Sequence, residues 1–167
     1  RRIEGVDTLE GATASEHALK TLDFSRYSVL HVAAHAIADE ADPGRSAVVL
    51  AAGGDAEDGL LQPREIAELA LDGKVVLLSA CQTASGVVLG GEGTMSLARA
   101  FFEAGARTVI GTRWSVGDEG TARFFEMVYE ALGDGLTVSA ALGRAKQRAI
   151  DAGMPSSVWA GVVLLGD

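Results

Sequence analysis

The chain predicts an α/β fold, a three-layer αβα arrangement built on a mostly parallel sheet. Three observations carry that expectation. Short continuous apolar runs alternate with helical stretches of 10–15 residues, the pattern of strands buried on both faces and joined by helical crossovers. Two of those runs end in reactive side chains: Val29-Leu30-His31-Val32-Ala33-Ala34-His35-Ala36 and Lys74-Val75-Val76-Leu77-Leu78-Ser79-Ala80-Cys81-Gln82-Thr83. Many of the 21 glycines fall at strand and helix ends, where positive φ or close backbone approach is useful.

The elements follow in order. Thr13-Ala14-Ser15-Glu16 has capping-box spacing and opens a short helix toward Leu22. Residues 27–34 read as a buried strand, followed by a polar loop over 39–45 that contains Pro43-Gly44. A strand over 46–51, turn signals at Gly53-Gly54-Asp55 and Asp58-Gly59, and Leu60-Leu61-Gln62 together predict a small hairpin. Pro63, at a first helical position, starts a helix through Ala70 whose apolar side is Ile66, Leu69 and Ala70.

Residues 74–79 form the second central strand, and a helix over 94–104 stops at Gly105. A third parallel strand spans 107–112. Ser115-Val116-Gly117-Asp118 again has capping-box spacing and opens a helix to about residue 132. A further helix covers 138–152, and 159–165 is the last strand. Right-handed crossovers put the ends of the His35 and Cys81 strands on one sheet edge, where open α/β sheets build their sites.

Bulk properties narrow the function. At 167 residues the chain suits one domain and can bury roughly two-thirds of its unfolded surface without staples. A formal charge of −9 argues against a nucleic-acid partner, which needs a cationic face. One cysteine excludes an internal disulfide and any multi-cysteine metal site; it fits the reducing, cytoplasmic setting expected here and other compartments nearly as well. No apolar run approaches the roughly 20 residues that span a bilayer, so no membrane partner is expected.

The two reactive ends suit a cysteine peptidase. Cys81 is the candidate nucleophile, and His35 the group that takes and returns the proton. Backbone N–H groups of Ala36 and Cys81 could hold the oxyanion. A free thiol titrates near ~8.5, so His35 or local amide dipoles must raise its thiolate fraction. A lone cysteine after an apolar strand also reads as a small buried hydrophobe, and spacing leaves both readings open. Of His31 and His35, one is expected to be a hydrogen-bonded core histidine. Four residues apart in a strand they share a face but sit too far apart to grip one ion, so no metal is expected. Gly90-Gly91-Glu92-Gly93-Thr94 lacks the Lys of a phosphate loop and carries Glu92, which repels phosphate; it reads as a loop on the rim of the site. Trp114 and Trp159 read as core or as pocket wall.

Several blocks in order resemble the CHAT family, caspase-like domains often attached to tetratricopeptide repeats. They are Leu30-His31-Val32-Ala33-Ala34-His35, Leu77-Leu78-Ser79-Ala80-Cys81-Gln82-Thr83, Gly91-Glu92-Gly93 and Ala100-Phe101-Phe102-Glu103-Ala104-Gly105-Ala106. Trp114-Ser115-Val116-Gly117-Asp118, Ala140-Ala141-Leu142 with Ala145, and Trp159-Ala160-Gly161 complete the set, which covers residues 9–166. The resemblance implies the caspase–haemoglobinase fold shared with separases and gingipains, and a His35/Cys81 dyad. It implies a cofactor-free cysteine endopeptidase that cleaves a protein substrate.

Two departures qualify it. Where relatives commonly carry Gly after the catalytic His, this chain has Ala36; if the turn needs positive φ, Cβ costs roughly 1–2 kcal/mol and Ala36→Gly should raise activity. Relatives also have a strand and helix before the segment where this chain starts. It is therefore expected to be one domain of a longer or cleaved protein, with a sensor, repeat domain or second chain as partner. Proteases of this kind are commonly held inactive until such a partner arranges their loops, here 39–45 and 86–93.

For specificity, the position two before the nucleophile is Ser79, where basic-specific relatives often place Asp. Asp118 is the candidate carboxylate, with Trp114 as a wall, and points to a basic or large neutral residue before the scissile bond. Its other role is to cap the following helix with Ser115. The competing functions are a catalytically inactive CHAT-like signalling or scaffold module, and a flavodoxin-like nucleotide binder that uses residues 90–94.

Overall fold

The computed structural model describes residues 5–39, 41–79, 92–114 and 117–166, the side chains of 92–96 and 118 excepted. Its elements, in chain order, are α1 (Glu16–Lys20), β1 (Val29–Val32), β2 (His35–Ile37), β3 (Ala47–Val49), β4 (Leu60–Leu61), α2 (Pro63–Ile66) and β5 (Val75–Leu78). They continue as α3 (Glu92–Glu103), β6 (Thr108–Thr112), α4 (Asp118–Gly133), α5 (Val138–Asp151), α6 (Ser156–Trp159) and β7 (Val162–Gly166).

The larger sheet runs β1-β5-β6-β7, parallel except for β7, which pairs antiparallel with β6. Period-two alternation sends successive side chains of each strand to opposite faces. Val32, Val76, Leu78 and Val109 pack with Leu97, Phe101 and Ala104 of α3 and with Leu19 of α1. Val75, Leu77 and Ile110 pack on the other side with Phe124, Phe125 and Val128 of α4 and Leu142, Ala145 and Ala149 of α5. Each buried Phe or Leu is worth about 1.5–3 kcal/mol, so the three parallel strands hold helices on both faces. Three layers result, as the apolar runs require.

A second sheet, β2-β3-β4, is antiparallel throughout. Val48 and Leu61 anchor it in the same core cluster as α3. The predicted hairpin is its β3–β4 half. The other half departs from expectation: the run through His35 is two strands rather than one. The first ends at Val32, and after Ala33-Ala34 the chain re-enters pairing in the small sheet, His35 opposite Val49.

Smaller corrections share one cause, tertiary packing overriding a local signal. Ser15, not Thr13, caps α1, accepting from the Ala18 N–H. α2 stops at Ile66, and Ala70, assigned to its apolar side, is exposed. Gly117 rather than Ser115 is the N-cap of α4. Trp159 closes α6 instead of opening the last strand, and α3 begins at Glu92, so Glu92-Gly93-Thr94 are helical rather than loop. Gly105 does end α3: at φ +95 it turns the chain where a Cβ would lie 2.5 Å from an Asp72 carboxylate oxygen.

The small sheet is tied to the body by charge. Lys20 Nζ sits 2.6 Å from Glu16, 2.7 Å from Glu57 and 2.9 Å from Glu65, linking α1, the turn before β4 and α2. Glu16 is 1% exposed and also accepts from the Gly59 N–H at 2.8 Å. Burial raises the Glu16 pKa, whereas the Lys20 hydrogen bond helps lower that of Glu57. Among the described residues these three carboxylates form the one cluster of metal-ligating groups, and the lysine ammonium fills its centre. Lys20→Met strands a buried carboxylate. It should cost about 2 kcal/mol, below the usual ~3–5 for such pairs because Lys20 still meets water. Urea unfolding at pH 7 measures it.

Candidate active site

The parallel register places Val32 beside Leu78, and the Ser79 N–H continues the ladder to the Val32 carbonyl at 3.1 Å. β1 and β5 therefore end together. At that end lies a cleft of about 390 Å³ lined by His31, Ala33, Ala34, His35, Ser79, Thr121, Ala122 and Phe125. The chemistry-bearing residues of both runs converge there, as far as Ser79.

His35 opens β2 and is exposed on the cleft. Ala36 follows within the same strand, in register with Val48. That extended setting suits any L-residue and removes the reason for expecting Ala36→Gly to raise activity. β2 is an edge strand, so alternate backbone N–H groups along it face away from β3. Cys81, three residues beyond Leu78, lies outside the described residues, as do Gly90 and Gly91 of the glycine loop and Ser115.

His31 is the hydrogen-bonded core histidine. The β1 pleat turns it toward α4, where its ring lies 5.1 Å from that of Phe125 and 5.7 Å from that of Tyr129. Its Nε2 is 2.6 Å from Ser79 Oγ and its Nδ1 is 2.5 Å from the Tyr129 hydroxyl. A neutral imidazole has one donor and one acceptor nitrogen, so one hydroxyl must donate and the other accept. The phenol is the more acidic of the two and the better donor. Tyr129 O–H therefore donates to Nδ1, and Nε2–H donates to Ser79 Oγ.

This constellation has the outward form of a nucleophile, a base and an orienting group, but its charge balance opposes that use. Burial holds His31 down at about 4 and pushes Tyr129 up to about 12. At pH 7 an imidazolium there would cost about 4 kcal/mol, so His31 is a fixed neutral link and a poor base. His35 lies on the open side of the cleft.

Ser79 lines the cleft, and one lone pair of its hydroxyl accepts from His31. Trp114 is not among the cleft-lining residues described: its Nε1–H donates to the Ser157 carbonyl at 2.6 Å and its ring lies against Gly161. Asp118 is the first residue of α4. Tyr129 and Phe125 went unread in the sequence, because a tyrosine on an apolar helix face looks like core until its partner is known.

The unfolded chain binds the His31 proton near 6.5 and the folded chain only near 4. Stability attributable to this residue is therefore full above pH 6.5 and lost as pH falls toward 4. Between pH 7 and 5 the loss is about 2 kcal/mol. Denaturation of His31→Gln should lack that component when its pH 7 to pH 5 difference is set against that of the parent.

The CHAT domain family model matches residues 2–167. Tetratricopeptide repeat protein 28 of Mus musculus is 37% identical over 109 residues, 64% of this chain and 4% of that protein. Its Homo sapiens counterpart is 35% identical over 109 residues, with the same shares. The chain thus spans about 4% of the length of the curated relatives it matches. Among solved structures, the Saccharomyces cerevisiae separase–securin complex aligns with 64% of this chain and 7% of that one, at 25% identity and a TM-score of 0.45.

Proposed function

The chain belongs to the CHAT domain family, and from that premise we propose that it is a cysteine endopeptidase of caspase-like type, acting on a protein through His35 and Cys81. One observation carries the reading. The strand that leads to Cys81 and the strand pair that leads to His35 end side by side at a cleft into which His35 is exposed.

The chemistry follows from the residue types. The Cys81 thiolate attacks the peptide carbonyl carbon, and the carbonyl π pair moves onto oxygen. Backbone N–H groups of Ala36 and Cys81 stabilise that oxyanion. Collapse of the intermediate breaks the C–N bond as His35 delivers a proton to the leaving amine. His35 then takes a proton from water, which attacks the thioester and releases the acid and the thiolate. Every step uses the protein's own groups. A basic or large neutral side chain before the scissile bond would enter the cleft past Ser79, with Asp118 at the start of α4 as the counter-charge. The match to tetratricopeptide repeat proteins supports a setting beside a repeat domain or other sensor that controls the activity.

A peptide library scanned before the scissile bond tests this, run beside Cys81→Ala and His35→Ala. Cleavage should favour basic or large neutral residues and fall by about a thousandfold or more in both variants. Cleavage that survives in either variant refutes the dyad. A parent that cleaves nothing and whose cysteine resists peptide electrophiles would point instead to a scaffold module of the same fold.

A further inference from the structure

The small sheet has an open side along β2. The Leu50 N–H, just past β3, donates to the Gly59 carbonyl at 2.8 Å, and the register then makes Val48 and Leu61 the next bonded pair. Backbone groups of successive strand residues point to opposite sides, so Ala47 and Val49 face β2 and bond Ile37 and His35. The Ala36 N–H and carbonyl are left pointing away from β3, and no described residue bonds either. The Asp39 N–H turns back to Ser46 Oγ at 3.1 Å, which carries the same alternation on to Ala38. Sheet edges are commonly blunted by charge, proline or a bulge. β2 has none of these: it reads His35-Ala36-Ile37 in unbroken register. Ala36 turns toward the core, while Ile37 shares the solvent face with His35 and is 49% exposed.

We propose that this edge binds the protein substrate as an extended strand, the fourth of the small sheet, with Ala36 as backbone anchor and Ile37 as side-chain contact. The proposal deepens the peptidase reading and rests on it for the identity of the bound segment. Three observations select such a strand. A donor and an acceptor recurring at every second residue match extended backbone, and a helix offers no such row. β2 also carries His35 into the cleft, so a segment paired with it lies alongside the site. A second copy paired through a three-residue strand would bury far less than the roughly 1,200 Å² of a stable interface. Alternate side chains of the bound strand fall beside His35 and Ile37, where Ile37 favours a β-branched or aromatic neighbour.

Binding is read on Cys81→Ala, which lacks the proposed nucleophile, applied to an array of decapeptides of varied sequence at pH 7. Each peptide that binds is remade with one N-methyl group at each amide in turn. Over the paired stretch, methylation at every second amide should weaken binding about tenfold and methylation between them should not. Adding Ala36→Pro removes only an outward N–H and keeps the bonds to β3, and it should weaken every binder about tenfold. Ile37→Lys, which puts charge on the edge, should do the same. The methylation scan alters the peptide alone, so it decides the matter even where the proline variant fails to fold. No binder on the array, or a methylation profile without the two-residue period, overturns the edge. Cleavage by the parent with a flat profile rejects the edge and leaves the dyad standing. Period-two binding in a chain that cleaves nothing upholds the strand-binding edge and rejects the peptidase. A dimer that Ala36→Pro dissociates would give the edge to a second copy and overturn the substrate strand.

Discussion

Val32 and Leu78 are neighbours in adjacent parallel strands, and the positions of His31, His35 and Ser79 all follow from that pairing. β5 is buried along its whole length and β1 packs Val32 into the same core, so neither can slip by a residue without sending core side chains to the wrong layer. The register is therefore fixed by burial, and with it the edge at which the two strands stop. His31, one residue before that edge, must face α4. Ser79, one residue after it, must lie within reach of His31.

His35 depends on a different constraint. It belongs to the small sheet, whose placement rests on Val48 and Leu61 in the core and on Lys20 among three carboxylates. Burial alone would make Glu16 costly; the ammonium and the Gly59 N–H offset that cost and lock the hairpin against α1. His35 and Ser79 thus reach the cleft from two different sheets, the small one held by an ion cluster as well as by the shared apolar core.

Much of this was legible in residue order. Continuous apolar runs such as Val75–Leu78 reveal two-sided burial, and the interposed helices reveal parallel connection. The split between β1 and β2 was not legible, because Ala33-Ala34 carries no turn signal and the apolar character runs through it. What ends β1 is competition from β3 for pairing with His35–Ile37, a long-range contact invisible in a local window. The helix starts at Ser15 and Gly117 were misplaced for a related reason: capping-box spacing occurs at Thr13 and Ser115, but the helices start two residues later. The roles of His31 and His35 were legible as a pair, one core and one free, but only the pleat direction says which is which.

Bridging of Cys81 to His35 by 1,3-dibromoacetone, mapped by mass spectrometry of the digested protein, tests the central claim most directly. The reagent alkylates the single thiol and then any imidazole nitrogen within its short reach. A Cys81–His35 cross-link, lost in His35→Ala, is the predicted result. Mono-alkylated Cys81 with His35 unmodified, or a bridge to another residue, would contradict the dyad.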